Sequence, residues 1–264
     1  NDWHSTVCVE KTVRKVKIVT DEEEGMKKTI QRVLAAVILF AMILSGGFSE
    51  VGKVHAEKQQ GTTKRAIYVV FDNSGSMYGD GNKAWSQATY AMEVFAAMMN
   101  YESGDVMKVF PMHDITTDGN TGSATKSSME IRGKDDIAQI HNMYTPKPGG
   151  TPYTQVNNAA GELTKLLNAG SVDEGWLVVL TDGDFDNDIP ASGLKADLEG
   201  KAAANENLYV QYLAIGTDVK NIPEGNADKG LYAQKAGNTS EVVNELAEIS
   251  NRIFKRNEYA GYSS

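Results

Sequence analysis

Cysteine is all but missing from this sequence. Cys8 is the single one, and it precedes every stretch patterned like a folded domain. An internal disulfide is therefore excluded, and so is a thiol catalyst, which needs folded surroundings to activate its sulfur. The shortage does not by itself name a compartment. Runs of Lys and Arg are also lacking in the main part of the chain. Of 26 basic and 35 acidic residues, the first 56 positions hold 8 and 7, leaving 18 basic against 28 acidic from Glu57 onward. Nucleic acid is thereby excluded as a partner, and an acidic surface suits a soluble protein that attracts cations. No apolar run reaches the roughly 20 residues of a membrane span. The longest, VLAAVILFAMIL, covers Val33 to Leu44. A G-x-S-x-G nucleophile turn is absent as well, which removes the commonest serine-hydrolase signature.

What the first 56 residues do contain is the pattern of an export signal. Lys27, Lys28 and Arg32 form a positive region before the apolar run, and Val54-His55-Ala56 places small residues at −3 and −1 of a cleavage site. Residues 26–56 are thus expected to be a signal peptide, giving a secreted or extracytoplasmic product. The alternative is an uncleaved membrane anchor over residues 33–48. Residues 1–25 are expected to be an upstream extension of the reading frame, with Met26 as the real start, because Glu22-Glu23-Glu24-Gly25 would be encoded by purine-rich codons resembling a ribosome-binding site. Residues 57–64 read as a polar linker, 65–257 as the folded domain and 258–264 as a C-terminal tail.

Within 65–257, short apolar runs alternate with helical periodicity. Ala66 to Phe71 and Trp176 to Leu180 are continuous, β-branched and apolar, as strands buried on both faces are. Asp105–Met112, Tyr209–Ile215 and Leu231–Gln234 read as further strands, and Met129–Arg132 as a short strand at the sheet edge. Residues 84–99 carry Trp85, Ala88, Met92, Phe95 and Met99 at helical spacing. Asp135–Met143, Val156–Leu167, Leu194–Asn205 and a segment opening at Thr239 read as helices, the last with Thr239 or Ser240 as its N-cap. The expected fold class is α/β: a doubly wound, mainly parallel sheet with helices on both faces and one short antiparallel edge strand. Such sheets bind ligands at the carboxyl ends of their strands, near the point where strand order reverses.

Three polar clusters fall where that rule points: Asp72-Asn73-Ser74-Gly75-Ser76, Gly149-Gly150-Thr151 and Thr181-Asp182-Gly183. Their side chains offer two carboxylates and several hydroxyls, with no His or Cys among them. Hard cations take oxygen ligands, whereas zinc and copper favour nitrogen and sulfur. At this point the chain resembles von Willebrand factor type A domains of bacterial type. D-x-S-x-S at 72–76, Thr151, and Asp182 after an apolar strand match their metal-ion-dependent adhesion site. The resemblance covers roughly residues 65–257. It implies a Rossmann-like fold, and Asp72, Ser74, Ser76, Thr151 and Asp182 as ligands of Mg²⁺ or Mn²⁺, with Ca²⁺ less suited. It also implies that an Asp or Glu from a protein ligand completes the metal sphere, near loops that include Asn73, Gly150 and Gly183. Gly75 is expected to serve a tight turn, and Gly149 and Gly150 to let the Thr151 loop move.

Other readings of these residues remain. Ser74 and Ser76 could cap a following helix. Asp182-x-Asp184-x-Asp186 resembles a calcium loop but lacks its glycine at position six and has Gly193 at position twelve, so Asp184 to Asp188 reads as a solvated acidic loop. His113 and His141 lack ligand-like spacing and read as ordinary loop residues. A phosphotransferase would need an acid where Ser74 stands. The expected function is a non-enzymatic, exported, metal-dependent interaction module. The alternatives are a truncated portion of a larger surface protein with a missing C-terminal anchor and, further off, a Mg-dependent hydrolase.

Overall fold

The computed structural model describes residues 63–254, apart from 121, 147, 184, 187, 218 and 220. The expected upstream extension, signal peptide and C-terminal tail lie outside the described residues. So does most of the linker.

The elements follow in order as β1 (Arg65–Phe71), a 3-10 turn (Gly75–Tyr78), α1 (Gly79–Met98), β2 (Val106–Pro111), β3 (Met129–Ile131), α2 (Ile137–His141), α3 (Thr154–Asn168), β4 (Glu174–Thr181), α4 (Leu194–Ala202), β5 (Leu208–Ile215), β6 (Leu231–Ala236) and α5 (Thr239–Phe254). They build one six-stranded sheet in the order β3-β2-β1-β4-β5-β6. Every pairing is parallel except β2 with β3, which is antiparallel and puts β3 at the edge. The order reverses between β1 and β4, the two central strands.

Alternation along each strand feeds two cores. Ile67, Val69, Phe71, Val178 and Leu180 face one side, where Met92 and Phe95 of α1 and Leu246 and Ile249 of α5 cover them. Ala66, Val70, Leu177 and Val179 face the other, against Val156, Leu163 and Leu167 of α3 and Leu198 of α4. All eight residues of β4 are buried, which is why this strand reads as an unbroken apolar run rather than an alternating one. Each large aliphatic side chain sealed in this way contributes about 1.5–3 kcal/mol.

The sheet leaves little room where α3 crosses β4. A Cβ on Gly175 would lie 3.0 Å from Leu167 Cδ1, 3.4 Å from Leu208 Cδ1 and 3.5 Å from Leu163 Cδ2. Gly175→Ala is therefore expected to lower stability by about 1–3 kcal/mol, the usual cost of overpacking, measured as a shift of the urea midpoint.

Several boundaries differ from the sequence expectation, and three of the differences have a visible cause. Lys64, assigned to the linker, is tied to the sheet: its carbonyl accepts the Asp173 N–H at 2.8 Å. Helix α4 stops at Ala202 rather than Asn205, because Asn205 turns the chain, its side chain accepting the Asn207 N–H at 2.9 Å. The cap of α5 is Asn238, not Thr239 or Ser240. Its Oδ1 accepts the Glu241 N–H at 3.0 Å, while Glu241 returns a carboxylate oxygen to the Gly237 N–H. The Thr239 hydroxyl is engaged elsewhere, accepting from the Gln87 amide at 3.1 Å. Among the described residues no helix is long and apolar enough to cross a membrane.

Candidate metal centre

The strands β1 and β4 end side by side, with Phe71 opposite Leu180. The chain leaves β1 at Asp72, whose N–H donates to the Leu180 carbonyl at 2.9 Å. That contact puts the side chain between the two loops. Asp72 is fully buried. Its Oδ1 accepts the Ser74 N–H at 2.9 Å and its Oδ2 the Thr181 hydroxyl at 2.7 Å. Thr181 Oγ1 in turn accepts the Gly183 N–H at 2.9 Å. Burial pushes the Asp72 carboxyl above its ordinary range; the hydrogen bonds from Ser74 and Thr181 oppose this, and the charge of Asp182 adds to it. Tyr212, buried beneath, has its hydroxyl pKa raised by desolvation and then by the charges of Asp72 and Asp182. Both carboxylates therefore lie within electrostatic reach of one another and of that ring.

Ser74 Oγ and Ser76 Oγ stand 2.9 Å apart. Ser74 is buried and Ser76 exposed, so the pair runs from the carboxylate outward to solvent. Thr151 arrives from a separate loop and is buried, while Asp182 is half-buried. Three backbone carbonyls hold that loop. Gly149 O accepts from Gly75 N–H at 3.1 Å and Thr151 O from Asp186 N–H at 3.1 Å, and Gly150 O meets His113 Nε2. Direct hydrogen bonds thus tie the Asp72–Ser76 cluster to each of the other two clusters singled out in the sequence.

Several residue roles differ from expectation. The Asn73 side chain is engaged inside the protein: it is fully buried, its Nδ2 donating to the His113 carbonyl at 2.7 Å and to Thr145 Oγ1 at 2.9 Å, and its Oδ1 accepting the His113 N–H at 2.8 Å. Gly183 is buried too, with its carbonyl accepting from Asn221 Nδ2 at 2.9 Å. Gly75 has no left-handed backbone, so no tight turn demands it; a Cβ there would meet only Gly149 O, at 4.0 Å. Gly149 and Gly150 have side chains close beside them. A Cβ on Gly149 would lie 3.0 Å from His113 Cε1, and one on Gly150 would overlap the Asp186 carboxylate. His113 is a brace of the site rather than an ordinary loop residue. The serines do not cap α1, whose N-cap position is Tyr78 with no side-chain cap. In the acidic loop Asp186 and Asp188 are exposed, but Phe185 is an anchor, buried edge-on against Tyr153 at 5.3 Å between ring centroids.

The donors suit a hard divalent cation. Among the described residues, no group of three or more His, Cys, Asp or Glu could hold a metal, so any ion here depends on hydroxyls. Ser74 and Ser76 bring two hydroxyl oxygens together beside a buried carboxylate whose ionised form a cation would stabilise. Asp72, Ser74, Ser76, Thr151 and Asp182 are the residues that could hold it. Strand order, the antiparallel edge strand and this oxygen set at the ends of β1 and β4 agree with one another.

The fold is the doubly wound α/β sheet that the resemblance to von Willebrand factor type A domains implies. No family model and no curated protein sequence matches the chain. Among solved structures, proximal thread matrix protein 1 from the mussel byssus is 15% identical at a TM-score of 0.46, over 73% of this chain and 47% of its own. The same mussel protein with a zinc-occupied MIDAS motif matches at 16% identity and a TM-score of 0.47, over 73% and 48%. The pilus adhesin SpaC of Lactobacillus rhamnosus GG, in an open conformation, is 16% identical at a TM-score of 0.47, over 75% of this chain and 31% of its own. The chain spans less than half the length of each of these structures.

Proposed function

We propose that the protein is a non-enzymatic, exported interaction module that binds a protein ligand through a divalent cation. The observation that carries this reading is the set of two carboxylates and three hydroxyls on three cross-bonded loops at the switch point of the sheet. Mg²⁺ or Mn²⁺ suits it better than Ca²⁺, which takes six to eight oxygens, and better than zinc, which favours nitrogen and sulfur. With two carboxylates at most, the ion keeps an affinity for a further anion, and an Asp or Glu from a partner can supply it. A hydrolytic reading is weaker on the chemistry. The Ser74 hydroxyl has Ser76 and the Asp72 carboxylate as its neighbours, and the nearby imidazole is engaged with a backbone carbonyl rather than with a serine. Export is supported by the charged and apolar pattern of residues 26–56.

Calorimetric titration of chelator-stripped protein with Mn²⁺ tests the metal. One saturable site that Mg²⁺ competes for is expected. No binding at millimolar Mn²⁺, or binding of zinc alone, would overturn it.

A further inference from the structure

We propose that His113 is a positioning residue of this centre, fixing the Thr151 loop against the turn that carries Asp72, Ser74 and Ser76. The proposal rests on the metal-binding reading. His113 lies two residues beyond the end of β2, a strand that contributes no other group to the site. Its backbone is gripped at both polar atoms by the buried Asn73 amide. Asn73 sits between Asp72 and Ser74, so the turn that carries the metal donors also fixes His113. The ring is then placed against Gly149, and Nε2 meets the Gly150 carbonyl. Since a carbonyl only accepts, the hydrogen of the imidazole is on Nε2 in this contact.

The route from Asn73 through His113 to Gly150 runs beside the direct bond from Gly75 to Gly149. Two glycines in succession have the most backbone freedom to lose on ordering. A single hydrogen bond between exposed backbone groups would leave the residue after them loosely placed. With Gly149, Gly150 and Thr151 held at three consecutive carbonyls by three separate segments, the position of Thr151 is determined by the loops around it. His113 is the one side chain among those three holds, since Gly75 and Asp186 use backbone N–H groups.

Two variants of the full chain test this, His113→Ala and His113→Gln, by hydrogen exchange of the Gly75 and Asp186 amides, which donate to the Gly149 and Thr151 carbonyls of the loop, and by Mn²⁺ affinity. His113→Ala is expected to speed exchange at those amides by about tenfold, leaving β1 and β4 unchanged. It is also expected to weaken Mn²⁺ binding by about fivefold, the scale of one net hydrogen bond. His113→Gln, whose amide can donate to the same carbonyl, should recover most of both. In a Thr151→Ala background, His113→Ala should weaken Mn²⁺ no further, because the imidazole acts through Thr151. Unchanged exchange in His113→Ala overturns the proposal, as does an equal loss of Mn²⁺ affinity in both backgrounds. If the unaltered protein binds no Mn²⁺, the metal reading fails by itself, and exchange then decides alone whether His113 holds the loop.

Discussion

Asp72→Asn should remove the metal response of the protein while leaving its fold intact. An ion that binds only the native state raises stability by about 2.7 kcal/mol at a hundred times its Kd. A domain of this size gains about 2–4 °C per kcal/mol, so saturating Mg²⁺ should raise Tm by about 5–10 °C in the unaltered protein and by nothing measurable in the variant. Asparagine keeps the shape of the side chain and an oxygen for the Ser74 N–H; it loses the charge, and its NH2 replaces the oxygen that accepts the Thr181 hydroxyl. In EDTA the sign at neutral pH should favour the variant. Burial raises the folded-state pKa of Asp72, so its stabilising contribution is present below the unfolded carboxylate range and is lost as pH rises through the folded value. Ionised and without a cation, the carboxylate is a net cost that asparagine removes. Thermal melts of both proteins, with Mg²⁺ and with EDTA, check this. An equal Mg²⁺ shift in Asp72→Asn would exclude Asp72 from the metal site.

The framework of that site was legible because the signals that build it are local. A parallel strand buried on both faces has no polar alternation to confuse it, so Ala66 to Phe71 and Trp176 to Leu180 announce themselves, and Asp72 and Thr181 mark where they end. The strand-order reversal then brings those two ends together. What stayed hidden depends on contacts far apart in the chain. Asn73 and His113 are 40 positions apart, and His113 and Gly150 are 37 apart, so nothing in the text near any of them marks the connection. Thr181 was seen only as part of a cluster, yet it orients the Asp72 carboxylate. A hydroxyl directly after a buried strand, next to an acid, was the available signal. The cap at Asn238 was missed for a local reason. Asn, Thr and Ser stand in succession, all good caps, and the choice fell to the Glu241 carboxylate that reaches back to Gly237. The close neighbours of Gly149 and Gly150, His113 and Asp186, were hidden for the same reason.

A protein partner captured in Mg²⁺ should be released by EDTA and should fail to bind Asp72→Asn. The ion has at most two protein charges, from Asp72 and Asp182, and Asp182 is only half-buried. The hydroxyls of Ser74, Ser76 and Thr151 add dipoles without charge. An incoming carboxylate would therefore meet an under-neutralised cation at a partly desolvated edge. Truncating one member of such a charge pair costs about 2–5 kcal/mol, so stripping the ion should weaken binding by at least about 30-fold. Changing the contacting Asp or Glu of the partner to its amide should do the same. Thr151→Ala should weaken the partner more than it weakens the metal. Its hydroxyl comes from a different loop from that of Asp72, Ser74 and Ser76, so those donors still hold the ion when it is gone, while the sphere offered to the ligand is altered. The contrasting arrangement is an ion that only staples the three loops, with the partner seated elsewhere. In that case EDTA would lower Tm, but partner affinity measured below the melting range would be the same with and without it, and the same in Thr151→Ala. Surface plasmon resonance in Mg²⁺ and in EDTA, with both variants on parallel channels, separates the two arrangements. Equal affinities throughout would leave the metal a structural role and remove the carboxylate from the recognition mechanism.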